Sequence, residues 1–149
     1  AGEGGGDDGE VPPHFLLEGL ARAVEAQSTS EKNVDILLEA ERAAYRLGGG
    51  RCTFCKSGKD RTAMAATLEQ AVLLEQHLGP GAGRDFDAIL QRANLMRARG
   101  VRLANAHKNV GRPKYSFNSF QRQFMPAIYK PPIEVIDDMI TSTLHRDTT

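Results

Sequence analysis

Glycine and proline cut this chain into lengths that suit helices. The breaks fall at Gly48-Gly49-Gly50, Gly79-Pro80-Gly81, Gly100 and Pro131-Pro132. Between them the spacing of apolar residues predicts helices over residues 14–27, 31–47, 60–78 and 85–99. Phe15, Leu16, Leu20 and Val24 form a stripe on the first. Val34, Leu37, Leu38 and Ala44 do so on the second, and Phe86, Ile89, Leu90, Ala93 and Met96 on the fourth. Ser28 and Glu31, between the first two, have capping-box spacing. The third run is rich in Ala, Leu, Met, Glu and Gln, all good helix formers. Residues 101–129 mix basic and aromatic side chains and are expected to hold a helix, an exposed loop and a final helix. Residues 134–149 are expected as a short helix or a C-terminal tail. Residues 1–13 are Gly-rich and acidic, the composition of a disordered linker.

One segment does not fit this helical scheme. Arg51-Cys52-Thr53-Phe54 is apolar in part and too short for a helix, so it reads as a buried strand. A single strand makes no sheet. Either strands are hidden or the other members of the sheet lie outside this chain; the second reading gives an expected α/β fold, to which this chain supplies mainly helices and one strand. The chain begins with Ala rather than Met, as a fragment or a processed product would.

The 149 residues carry 19 Lys plus Arg against 19 Asp plus Glu, so net charge gives no signal for nucleic acid or a membrane surface. No apolar run approaches the roughly 20 residues that span a bilayer, and no signal peptide opens the chain. The two cysteines are three apart, which favours a reducing, cytoplasmic setting and thiol chemistry over a disulfide scaffold.

The informative segment lies between the predicted strand and the third helix: Cys55-Lys56-Ser57-Gly58-Lys59-Asp60-Arg61-Thr62. A Cys followed six positions on by Arg arises by chance in about one chain in six of this composition. Requiring Gly58 and Thr62 as well lowers this to the order of one in a thousand. A loop of this kind can aim successive backbone N–H groups at an anion, and the following helix adds its positive end. Gly58 permits the tight turn. Arg61 can grip two phosphate oxygens with its planar fork. The same donors would depress the thiol pKa of Cys55 and make it a nucleophile. Thr62 could donate its hydroxyl to the thiolate and improve it as a leaving group. Hydrolysis would then run through a cysteinyl-phosphate attacked by water.

This loop resembles that of the cysteine-based phosphatases, in particular their phosphoinositide branch. Cys55 to Gln70, Lys108-Asn109-Val110-Gly111, Lys114-Tyr115, Phe117-Asn118-Ser119 and Tyr129-Lys130-Pro131-Pro132 together resemble the C-terminal end of inositol polyphosphate 4-phosphatases. A weaker echo covers Asn33 to Arg42. The resemblance implies metal-free, cofactor-free hydrolysis of the 4-phosphate of phosphatidylinositol 3,4-bisphosphate. It makes residues 14–133 part of a phosphatase catalytic domain, cytoplasmic and peripherally associated with membranes. Family members are far longer, so an upstream region is expected to contribute. They often have Ala where this chain has Gly58. Bacterial effector phosphoinositide phosphatases share the Gly, which leaves that specificity open. A third reading is an inactive module that binds phosphoinositides, although binding alone would not need the thiol.

Lys56 and Lys59 suit a ring bearing further phosphates; the plainer reading is loop lysines that face water and offset Asp60. Ser57, Gly58 and Arg61 complete the expected phosphate contacts. Asp60 is the candidate general acid for the leaving inositol oxygen, with a helix-end carboxylate as its structural alternative. Asp85, Asp87, Asp137 or an upstream residue could also supply the proton. Cys52 and Cys55 form a Cys-x-x-Cys pair, but His14, His77, His107 and His145 lack metal spacing, and Cys52 reads as a buried strand residue. The basic run Arg97, Arg99, Arg102, Lys108, Arg112 and Lys114 reads as a solvated face that could meet anionic headgroups. Tyr115, Phe117 and Phe120 read as core, and no nucleic-acid motif accompanies them.

Overall fold

The computed structural model describes residues 13–77 and 85–137. Six α-helices occur there: α1 Pro13–Glu25, α2 Val34–Arg46, α3 Asp60–His77, α4 Phe86–Arg99, α5 Val101–Val110 and α6 Ser119–Gln123. Two short 3-10 turns follow, Ala127–Tyr129 and Ile133–Val135. The linker expected over residues 1–13 lies almost wholly outside the described residues, as do the Gly79-Pro80-Gly81 break and the tail beyond Asp137. No described helix is long and apolar enough to cross a membrane.

The α/β expectation is overturned. Among the described residues there is no strand, only an isolated parallel bridge between Tyr115 and Ile136. Residues 51–55 are irregular, Phe54 is 83% exposed, and Cys52 is exposed rather than buried. A strand exists only where its N–H and C=O groups meet a neighbouring backbone, and among the described residues no extended segment pairs with this one. Four residues are also too few for periodicity to separate a strand from a coil.

The chain divides into two compact units, Ala1–Cys52 and Thr53–Thr149. In the first, α1 packs against α2. The expected Ser28–Glu31 capping box does not form. Instead the Asn33 side chain closes the loop before α2, accepting from Ser28 N–H and donating to Ser28 C=O, both at 2.8 Å. The helix starts at Val34, three residues later than its sequence pattern suggests. Arg51 donates to Leu37 C=O at 3.0 Å and reaches the buried Glu41 carboxylate at 3.3 Å, which ties the chain leaving α2 back onto that helix.

In the second unit α3 is central, packing against α4, α5 and the first 3-10 turn. Its buried residues, Thr62, Ala63, Met64, Thr67, Leu68, Ala71 and Glu75, spread over more than one face, as a helix with neighbours on several sides requires. Ala63, Ala71, Ala93 and Ala106 are fully buried, and their small side chains let the helices approach closely. The Asp85 carboxylate caps α4 by accepting from Asp87 and Ala88 N–H at 3.0 and 3.1 Å. At the α4–α5 junction, a Cβ on Gly100 would lie 2.4 Å from the Met96 carbonyl oxygen, so only glycine lets α5 leave at this angle.

Arg97 departs from the solvated-face reading. It is 0% exposed. Its guanidinium donates to Met64, Ile128 and Lys130 carbonyls and to the side-chain oxygens of Thr67 and Asn94, at 2.7–3.2 Å. No carboxylate pairs with it among the described residues. Burial lowers its pKa to about 10 against the opposing influence of Tyr115 and Tyr129, so it stays charged at neutral pH. One cation therefore fastens α3 to the segment around residues 128–130. Tyr115, also fully buried, donates its hydroxyl to the Arg97 carbonyl at 3.0 Å. Tyr115 and Phe117 join the core with Ala63, Met64, Ala106 and Val135. Phe120 does not: it is 61% exposed and meets the equally exposed Phe124 edge-on, ring centroids 5.0 Å apart.

Candidate active site

The segment Cys55–Thr62 leaves an irregular stretch and enters α3 at Asp60. Gly58 adopts φ +63°, a left-handed turn that a Cβ would strain, and its N–H closes the turn onto the Cys55 carbonyl at 3.3 Å. This turn places the loop at the positive end of an 18-residue helix.

Cys55 is partly buried, which by itself would push its pKa up. Hydrogen bonds from the Thr62 hydroxyl and from the backbone N–H groups of Thr62, Ser57 and Gly58 outweigh burial and lower it from 9.0 to about 6. The thiol is therefore largely ionised at neutral pH. Thr62 Oγ1 is buried and meets no partner at full hydrogen-bond geometry, although its approach to the sulfur helps to lower the thiol pKa. The two observations agree if the thiolate is its acceptor, since sulfur is large and accepts at longer, less aligned contacts.

Arg61 and Lys56 are exposed, and neither charged group has a protein partner among the described residues. Ser57 and Gly58 are exposed as well, beside them in the loop. Lys59 is different. Only 8% exposed, it pairs with the Asp60 carboxylate and donates to Ser116 Oγ at 2.8 Å. Asp60 Oδ1 accepts from Lys59 and also from the Ser116 backbone N–H at 2.8 Å, while Oδ2 is taken up by no donor among the described residues. Of the other carboxylates weighed as proton sources, Asp85 and Asp87 lie at the start of α4, and Asp137 is paired with Arg112 at 2.5 Å.

Ser116 is the site residue that the sequence did not single out. It lies 56 positions beyond Asp60, and serine has no signature in such a place. The only hint is that the stretches Lys114-Tyr115 and Phe117-Asn118-Ser119, quoted above for the family resemblance, flank it on both sides. No cluster of three or more metal-ligating His, Cys, Asp or Glu side chains forms among the described residues. Taken together, the loop offers a thiolate, convergent N–H groups and a free guanidinium at a helix N-terminus, which is equipment for holding and attacking an anion.

Comparison with known proteins points to a phosphatase family. The family described as INPP4A C-terminal domain matches residues 13–129. Inositol polyphosphate 4-phosphatase type II of Homo sapiens is 40% identical over 118 residues, covering 78% of this chain and 12% of that protein. Type II inositol 3,4-bisphosphate 4-phosphatase of Rattus norvegicus is 37% identical over the same length and shares. Phosphatidylinositol 3,4,5-trisphosphate-dependent Rac exchanger 2 protein of Homo sapiens is 33% identical over 97 residues, 65% of this chain and 6% of that protein. No solved structure matches the chain. The chain belongs to the inositol polyphosphate 4-phosphatase family. It spans about an eighth of the length of the type II relatives.

Proposed function

We propose that this chain carries the catalytic loop of a phosphoinositide phosphatase that removes the 4-phosphate of phosphatidylinositol 3,4-bisphosphate. The observation that carries the reading is the Cys55 thiol, ionised at neutral pH by donors of its own loop, with the exposed Arg61 six positions on, in the first turn of α3. The names of the type II relatives supply the substrate class.

In this reading Arg61 and the loop N–H groups bind the phosphate oxygens, and the Cys55 sulfur attacks phosphorus. The bond from phosphorus to the inositol oxygen breaks, and Asp60, entering the step with a proton on Oδ2, delivers it to that oxygen and takes one back from the water that attacks in the second step. Water then attacks the cysteinyl-phosphate, releasing inorganic phosphate and returning the electron pair to sulfur, where the Thr62 hydroxyl stabilises it. Lys56 meets the additional ring phosphate. Lys59, the other lysine expected there, is engaged by Asp60 and Ser116, so its contribution to substrate comes through Asp60. The enzyme works at the cytoplasmic face of a membrane, where its lipid substrate lies.

The similarity to a Rac exchanger favours a second reading, a module that binds phosphoinositides without hydrolysing them. Phosphate release from vesicles carrying each phosphoinositide separates the two. It should be measured with this chain and with one extended to the length of the type II relatives. The phosphatase reading expects release from the 3,4-bisphosphate well above the other lipids, abolished by Cys55→Ser with headgroup binding retained. Binding without release in the extended chain would sink it.

A further inference from the structure

We propose that Ser116 is a positioning residue of the phosphate loop: its backbone N–H and hydroxyl hold Asp60 and Lys59 in a closed ring that fixes the loop's last turn. The inference rests on the phosphatase reading of this loop and goes beyond it by adding a residue from a distant segment. Asp60 Oδ1 accepts from the Ser116 N–H at 2.8 Å, Lys59 Nζ donates to Ser116 Oγ at 2.8 Å, and Lys59 pairs with Asp60 to complete the ring. A buried ammonium must be compensated, and these two oxygens do it.

The ring is attached to something rigid. Ser116 sits between Tyr115, fully buried, and Phe117, packed on the same core. The Tyr115 N–H donates to the Val135 carbonyl at 2.8 Å, and the Asp137 N–H donates to the Tyr115 and Phe117 carbonyls at 3.0 Å. The Ser116 backbone is thus a fixed post. Two consecutive residues of the loop–helix junction are tied to it. The N–H groups that converge on the Cys55 sulfur belong to Ser57 and Gly58 on one side of this junction and Thr62 on the other. Their convergence depends on where the junction is held. The ring also keeps Lys59 off the substrate, which leaves Lys56 as the loop lysine open to an additional phosphate.

Substituting Ser116 changes no charge. The charged side chains of the loop, Lys56, Lys59, Asp60 and Arg61, and the Tyr115 phenol next to Ser116 in sequence all remain, so a change in the Cys55 titration reports geometry. The test uses the full chain with Cys52→Ser, so that a single thiol is followed, and measures the rate of alkylation by iodoacetamide against pH. Ser116→Ala removes the hydroxyl. Ser116→Pro removes the N–H as well, and Tyr115 in its extended bridge tolerates a following proline. Ser116→Thr keeps both groups.

The midpoint, near 6 with Ser116 present, is expected to rise in Ser116→Ala, further in Ser116→Pro, and to return in Ser116→Thr. A rise of one unit lowers the alkylation rate at pH 6 about fivefold. Ser116→Ala with the original midpoint overturns the proposal, whether or not the proline variant folds. The readout needs no turnover. A chain that hydrolyses no phosphate ester therefore refutes the phosphatase reading while the midpoint still decides the role of Ser116.

Discussion

At the scale of single residues, the loop is a balance of opposed effects on one sulfur. Burial disfavours the Cys55 thiolate, and four short-range donors more than reverse it. For a thiol lowered from 9.0 to about 6 the sign is simple: the reactive anion is present above pH 6 and disappears as pH falls through that value. The acid limb of kcat/KM should therefore centre near pH 6, in the range set by the same donors. Thr62→Val keeps the shape but removes the hydroxyl donor. It should move that limb upward by up to about one unit, read equally well from thiol alkylation. A limb left in place would mean that the backbone N–H groups alone hold the thiolate. Cys52→Ser, at an exposed position outside the loop, should leave the profile intact.

The motif residues were legible in the sequence because their chemistry is local. Gly58 is needed for a turn of three or four residues, and its φ of +63° fulfils that requirement. The different fates of Lys56 and Lys59 were not legible. Both read as loop lysines, yet one is exposed and the other is closed in by a segment 57 positions away.

At the scale of elements, the punctuation read from the sequence is accurate where the backbone itself enforces it. Gly100 separates α4 from α5, and its N–H still bonds the Met96 carbonyl at 2.8 Å. A methyl group there would strike that same carbonyl oxygen at 2.4 Å, and backbone cannot swing aside as a side-chain tip can. Gly100→Ala should accordingly cost about 1–3 kcal/mol, the usual range for overpacking, as measured by urea unfolding. A loss below half a kcal/mol would show that the junction relaxes freely. The segment at residues 51–54 illustrates the opposite case. Its composition suggested a strand, but strand formation is decided by a partner and not by the segment. The capping-box pattern at Ser28 and Glu31 was likewise outcompeted, because the Asn33 amide can serve both a donor and an acceptor of Ser28 at once.

At the scale of the whole molecule, the second unit is organised around a buried cation rather than a purely apolar core. Arg97 reaches three carbonyls and two side-chain oxygens from three stretches of chain: α3, its own helix α4, and residues 128–130. Arg97→Met would leave the carbonyls of Met64, Ile128 and Lys130 without this donor, at about 1 kcal/mol each and about 3 kcal/mol together. Arg97→Lys should be nearly as damaging, because one ammonium cannot reproduce a planar fork. Equal stability of Arg97→Lys and the parent chain in urea melts would show that charge alone matters there.

What the sequence determined by itself is what neighbours along the chain decide. The helices between glycine breaks, the tight turn at Gly58, and a cysteine and an arginine brought to one loop at a helix start all follow from spacing and backbone sterics. Only the tertiary structure decided which cations are buried, that residues 51–54 find no strand partner among the described residues, and that Ser116 meets Lys59 and Asp60. Those outcomes depend on which distant groups come within hydrogen-bonding distance, and the energy of such a contact is written in neither partner's local sequence.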